Sequence, residues 1–113
     1  MILRTIGCAI GAAFLAAVVA VSLAAASDAG PADALVSIKT FDFHPMELAV
    51  KAGATVTWKN LDGEPHTVTS LDGTFRSGAL DEGDSFSFKF LKPGIYRYLC
   101  TIHPRMVASV TVR

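Results

Sequence analysis

From residue 36 onward, apolar and polar residues tend to alternate with a period of two. Phe86, Phe88 and Phe90 fall on one side of their segment, with Ser85, Ser87 and Lys89 on the other, and Val56 and Trp58 share a face. This alternation predicts strands with one buried face. Segments 36–43, 47–50, 55–59, 66–70, 85–90, 95–100 and 107–113 are rich in β-branched and aromatic residues. Turn signals punctuate them: Ala52-Gly53, Asp62-Gly63, Asp72-Gly73, Glu82-Gly83 and Pro93-Gly94. No segment after residue 35 carries a helical apolar stripe. The prediction is an all-β domain, a Greek-key sandwich or barrel of about seven to eight strands. The Phe face, Trp58, Val68 and the terminal valines are its expected core.

The first 26 residues follow a different pattern. Arg4 supplies one positive charge, and residues 6–26 contain no charged residue. Ala24-Ala25-Ala26 precedes Ser27-Asp28, as at a signal-peptidase site, so residues 1–26 read as a secretory signal peptide. The alternative is an uncleaved anchor over residues 5–26, since about 20 apolar residues span a bilayer as a helix. Residues 27–34 have the composition of a linker, which leaves 35–113 as the folded domain. The expected location is outside the cytoplasm, in the periplasm if the source is bacterial. A mature domain without its leader has no membrane association.

The leader changes how composition is read. It inflates the 51% hydrophobic content. Setting Arg4 aside leaves nine Lys and Arg against ten Asp and Glu, a net charge near −1. With no basic cluster to neutralise phosphates, a nucleic-acid partner is excluded. Of the two cysteines, Cys8 lies in the leader and Cys100 stands alone. Exported domains usually pair their cysteines, so a lone thiol points to metal ligation.

The stretch Tyr98-Leu99-Cys100-Thr101-Ile102-His103-Pro104-Arg105-Met106 spaces a thiol, an imidazole and a thioether three residues apart. It lies between two predicted strands, and a tight loop can aim all three side chains at one point. Soft sulfur ligands with imidazole suit copper, and two His, one Cys and a weak axial Met form the electron-transfer copper site. The second imidazole is His44 or His66; spacing alone leaves the choice open.

Residues 35–113 resemble the small cupredoxins, most closely the amicyanin and plastocyanin branch. The resemblance rests on Phe41-Asp42-Phe43-His44-Pro45, Val50-Lys51-Ala52-Gly53, Val56-Thr57-Trp58-Lys59-Asn60, Glu64-Pro65-His66-Thr67-Val68, Pro93-Gly94-Ile95-Tyr96-Arg97-Tyr98 and the Cys100, His103, Met106 loop. It implies a single type 1 copper ion held by His66, Cys100, His103 and Met106. His44 is then a surface residue or a neighbour of the site, and Met46 belongs to the core. The short ligand loop looks like that of amicyanins, with departures. Ile102 stands where Pro is frequent, Arg105 where an apolar residue is common, Thr67 where many relatives have Asn, and Ala108 where they have Gly. Ile102 keeps an amide hydrogen, which is expected to donate to the Cys100 sulfur beside one from Thr67, so that Ile102→Pro would lower the potential.

The resemblance further implies a monomer that passes single electrons and catalyses nothing. Its partners would be redox proteins, a dehydrogenase, reductase or cytochrome, docking near His103. Arg105 beside that exit favours a partner with an acidic docking face. The alternative from another class is a copper-binding or copper-delivery protein of the same fold. Oxygen-reducing copper chemistry would need more clustered histidines than the three present.

Overall fold

The computed structural model describes residues 30–113, together with 7, 11, 13 and 15–18. Apart from those isolated positions, the leader expected over 1–26 and residues 27–29 of the linker lie outside the described residues. Among the described residues there are eight strands and no helix.

Two four-stranded sheets face each other. In the first, β1 (Asp33–Lys39) pairs antiparallel with β2 (Asp42–His44) and parallel with β4 (Thr55–Asn60), and β4 pairs antiparallel with β6 (Ser85–Lys89). In the second, β3 (Glu47–Val50) runs parallel to β8 (Val107–Val112). There β8 pairs antiparallel with β7 (Gly94–Leu99), and β7 with β5 (Thr69–Ser70). The chain changes sheet at every connection except β1–β2 and β7–β8, so both sheets depend on contacts distant in sequence.

The expected alternation is realised across β4 and β6, where Trp58 lies opposite Phe86 and Val56 opposite Phe88. Trp58 has no exposed surface. It stacks on Phe75 at 5.5 Å between ring centroids and meets Tyr98 edge-on at 5.4 Å. Val36, Ile38, Val68, Val110 and Val112 complete the layer between the sheets. Offset and edge-on aromatic pairs of this kind add to what area burial alone supplies.

Several expectations are corrected. The segment 36–43 is two strands, because Thr40 and Phe41 take left-handed backbone (φ 55° and 56°) and turn the chain back on itself. Strand β1 begins at Asp33, within the expected linker, where the Thr55 amide donates to the Asp33 carboxylate at 3.2 Å. Segment 66–70 is a strand only at Thr69–Ser70. The residues before it bond to the 77–80 stretch instead, through Ser77 N to Val68 O (2.8 Å) and Leu80 N to His66 O (2.7 Å). Met46 lies 48% exposed rather than in the core.

Candidate metal centre

Three of the four expected ligands converge at one end of the sandwich. His66 comes from the connection between β4 and β5, and Cys100 and His103 from the connection between β7 and β8. The His66 and His103 Nδ1 atoms are 3.2 Å apart, and Cys100 Sγ lies 3.7 Å and 3.8 Å from them. His66 and Cys100 are wholly buried and His103 half-buried. Nothing else among the described residues groups His, Cys and carboxylate ligand atoms in this way.

The spacing fits a metal. Atoms held about 2.0–2.3 Å from a common centre in a trigonal arrangement are separated by roughly 3.4–3.8 Å. Those are near the separations seen, and a two-nitrogen, one-thiolate set with a methionine nearby suits copper. Met106 supplies that methionine: it is 2% exposed and sits on the same loop.

Backbone bonds hold the donors in place. The loop closes on itself through Met106 N to His103 O (2.9 Å) and Cys100 N to Met106 O (3.1 Å). On the other side, His66 and Leu80 exchange backbone hydrogen bonds at 3.0 Å and 2.7 Å. Asn60, fully buried, shapes the turn before His66. Its Nδ2 donates to the Glu64 and Leu80 carbonyls, both at 2.8 Å, and its Oδ1 accepts from Asp62 N at 2.9 Å.

Asp62 then reaches three partners. Its carboxylate accepts from Thr40 N (2.7 Å) and Phe41 N (3.0 Å), and lies 2.9 Å from His66 Nε2. Burial pushes the Asp62 carboxyl pKa up, but the Phe41 and Thr40 amides, with His66, outweigh burial and hold it below the usual carboxylate value. An ionised carboxylate only accepts hydrogen bonds, so His66 donates from Nε2 and its Nδ1 lone pair faces the other two donors. Phe41 packs edge-on against both imidazoles, at centroid distances of 5.3 Å to His66 and 5.0 Å to His103.

The amide expected to donate from Ile102 to the Cys100 sulfur does not. Thr67 N donates at 3.4 Å, and the neighbouring Thr101 is tied to Thr67 rather than to sulfur, through Thr101 N to Thr67 Oγ1 at 2.7 Å. Ile102 projects from the loop, 45% exposed. His44 is exposed and bonds the Lys39 carbonyl at 3.0 Å, outside the convergent group. Sequence reasoning gave no role to Asp62, Phe41 or Thr101. Asp62 read as a turn residue, and its place four positions before His66 was the one available signal.

The chain matches the family model of the cupredoxin-like domain over residues 11–112. It is 36% identical over 114 residues to amicyanin-alpha of Methylorubrum extorquens, an alignment covering 88% of this chain and 96% of that protein. Plastocyanin of Scenedesmus fuscus is 36% identical over 84 residues, covering 63% and 86% respectively. Among solved structures, a purple cupredoxin from Nitrosopumilus maritimus aligns with a TM-score of 0.66 and 35% identity, over 72% of this chain and all of that one.

Proposed function

This chain belongs to the cupredoxin-like family, and on that premise we propose that it carries single electrons between exported redox proteins through one type 1 copper ion. His66, Cys100, His103 and Met106 are the ligands. The observation that carries this reading is the convergence of two imidazole nitrogens and one thiol sulfur within 3.8 Å of one another. When bound, copper supplies a one-electron couple.

The protein's own residues do the rest. The sandwich and the bonds closing the 100–106 loop fix the donors, so copper in either redox state would meet nearly the same arrangement of side chains. The Thr67 amide at 3.4 Å draws charge from the sulfur, which favours the reduced state. Half-buried His103 is the most accessible of the four ligands, and exposed Phe41, Ile102, Pro104 and Arg105 surround it in sequence or in space. That surface suits brief docking over a small area. The partner is a dehydrogenase, reductase or cytochrome, and residues 1–26 direct export to the periplasm in a bacterial cell.

A visible spectrum of the domain with one equivalent of Cu(II), before and after ascorbate, tests the reading. An intense blue or violet band that bleaches on reduction and returns on reoxidation is expected. A pale solution overturns the type 1 site. A band whose copper is lost on reduction transfers the function to copper delivery.

A further inference from the structure

We propose that the Asp62 carboxylate is a positioning latch that fixes the Nε2–H tautomer of His66 and also holds Phe41 as an aromatic cap over both imidazoles. The inference rests on the metal-site reading for its redox consequence, but the latch itself belongs to the protein alone.

Side chains rarely adopt the left-handed backbone seen at Thr40 and Phe41, and here two consecutive non-glycine residues do so, at φ 55° and 56°. A strained turn persists where its surroundings over-determine it. The surroundings are two amides donating to the two oxygens of one carboxylate, Thr40 to Oδ1 at 2.7 Å and Phe41 to Oδ2 at 3.0 Å. Asp62 is itself anchored through its amide to buried Asn60, at 2.9 Å. The chain is joined again just before Asp62 by Leu61 N to Ile38 O at 2.8 Å. The same Oδ2 that receives Phe41 N also receives His66 Nε2, at 2.9 Å.

Because one oxygen serves both, the position of the Phe41 turn and the orientation of the His66 ring are set together. Phe41 then spans the histidine pair, 5.3 Å from one ring and 5.0 Å from the other, with 47% of its surface still exposed. Its ring stands between solvent and two donors that would otherwise be more open to water. A carboxylate bonded to the far nitrogen also makes the imidazole a stronger electron donor to a bound metal and favours the more highly charged metal state.

The test is nitrogen-15 NMR of the metal-free protein at about pH 8, above the ordinary imidazole titration range. Wild type should show His66 as a single Nε2–H tautomer, with ring-current shifts from Phe41 on both histidines. Asp62→Ala should lose both signatures. Asp62→Asn, nearly isosteric and able to accept through one oxygen only, should show faster solvent exchange of whichever of the Thr40 and Phe41 amides then faces the NH2 group. Phe41→Gly relieves the left-handed backbone and should abolish the ring-current shifts while leaving the tautomer unchanged.

Retention of both signatures in Asp62→Ala, or an Nδ1–H tautomer in wild type, overturns the latch. If Asp62→Ala does not fold, unchanged amide exchange in Asp62→Asn overturns it instead. With copper bound, the reduction potential of Asp62→Ala or Asp62→Asn should lie above wild type, and a fall overturns the electronic effect. A wild type with no thiolate–copper band defeats the electron-carrier reading alone, because the latch is decided on metal-free protein.

Discussion

Thr67 and Thr101, far apart in sequence, join the two ligand-bearing segments through one hydroxyl oxygen: Thr67 Oγ1 accepts from Thr101 N at 2.7 Å and lies 2.7 Å from Thr101 Oγ1. His66 precedes the first residue and Cys100 the second, so this bond ties the backbone carrying one histidine ligand to the backbone carrying the thiol. The Thr67 amide simultaneously donates to Cys100 Sγ.

Thr67→Val keeps the shape and the amide while removing the hydroxyl. The Thr101 amide loses its acceptor, and a part-buried unsatisfied donor costs about 1–3 kcal/mol. Thermal unfolding of metal-free Thr67→Val should show that loss, and Thr67→Ser should recover most of it. The potential should move little in either variant, since the bond to sulfur comes from the backbone.

The strands and the ligand loop were legible because they are local. Period-two runs such as Phe86 to Phe90 and the three-residue spacing of Cys100, His103 and Met106 need no tertiary information. Phe75 was not legible. It lies between Gly73 and Gly78 without alternation, yet it is 3% exposed and stacks on Trp58, a partner 17 residues earlier in the chain. The break at Thr40 and Phe41 was invisible for the same reason: their side chains fit a strand, and the carboxylate that turns them comes from Asp62. Choosing His66 over His44 required resemblance, because only the fold brings His66 to Cys100. Of the sulfur's expected amide donors, Thr67 was placed well and Ile102 was not, since loop conformation cannot be read from residue type.

Ile102→Pro follows from that correction. The Ile102 amide makes no bond to sulfur and its side chain projects outward, so a residue lacking the amide removes nothing from the thiolate. The reduction potential by spectroelectrochemistry should stay close to that of wild type. A clear fall would mean that the Ile102 amide reaches sulfur in solution.

Tyr98→Phe should be neutral or stabilising by up to about 1 kcal/mol. Tyr98 is 1% exposed, and neither its hydroxyl nor the nearby Trp58 Nε1 reaches hydrogen-bond geometry with any partner. Removing an unpaired buried hydroxyl relieves its desolvation penalty. Burial also raises the Tyr98 phenol above its ordinary value of 10.0. The folded state therefore keeps the phenol neutral where the unfolded chain ionises it. Stability from this group is fully present below pH 10 and is lost as pH rises beyond it toward the folded value. Urea unfolding at successive alkaline pH values should show a shallower decline for Tyr98→Phe than for wild type.

Arg105 supplies an exposed charge two residues from His103, so its effect should appear as a field acting on whatever approaches that ligand. With reduced, copper-loaded protein, oxidation by the trianion hexacyanoferrate(III) should slow as salt is added, because screening shortens the reach of the guanidinium to about 3 Å near 1 M salt. Arg105→Glu should slow the same reaction several-fold at low ionic strength, speed the reaction with a cationic cobalt complex, and match wild type with both probes at high salt. Opposite responses to the two probes identify a through-space effect on encounter, which a natural partner with an acidic docking face would exploit. Equal slowing with both, at all salt concentrations, would place Arg105 among the residues that hold the 100–106 loop in shape, and the preference for an acidic partner would then lose its basis.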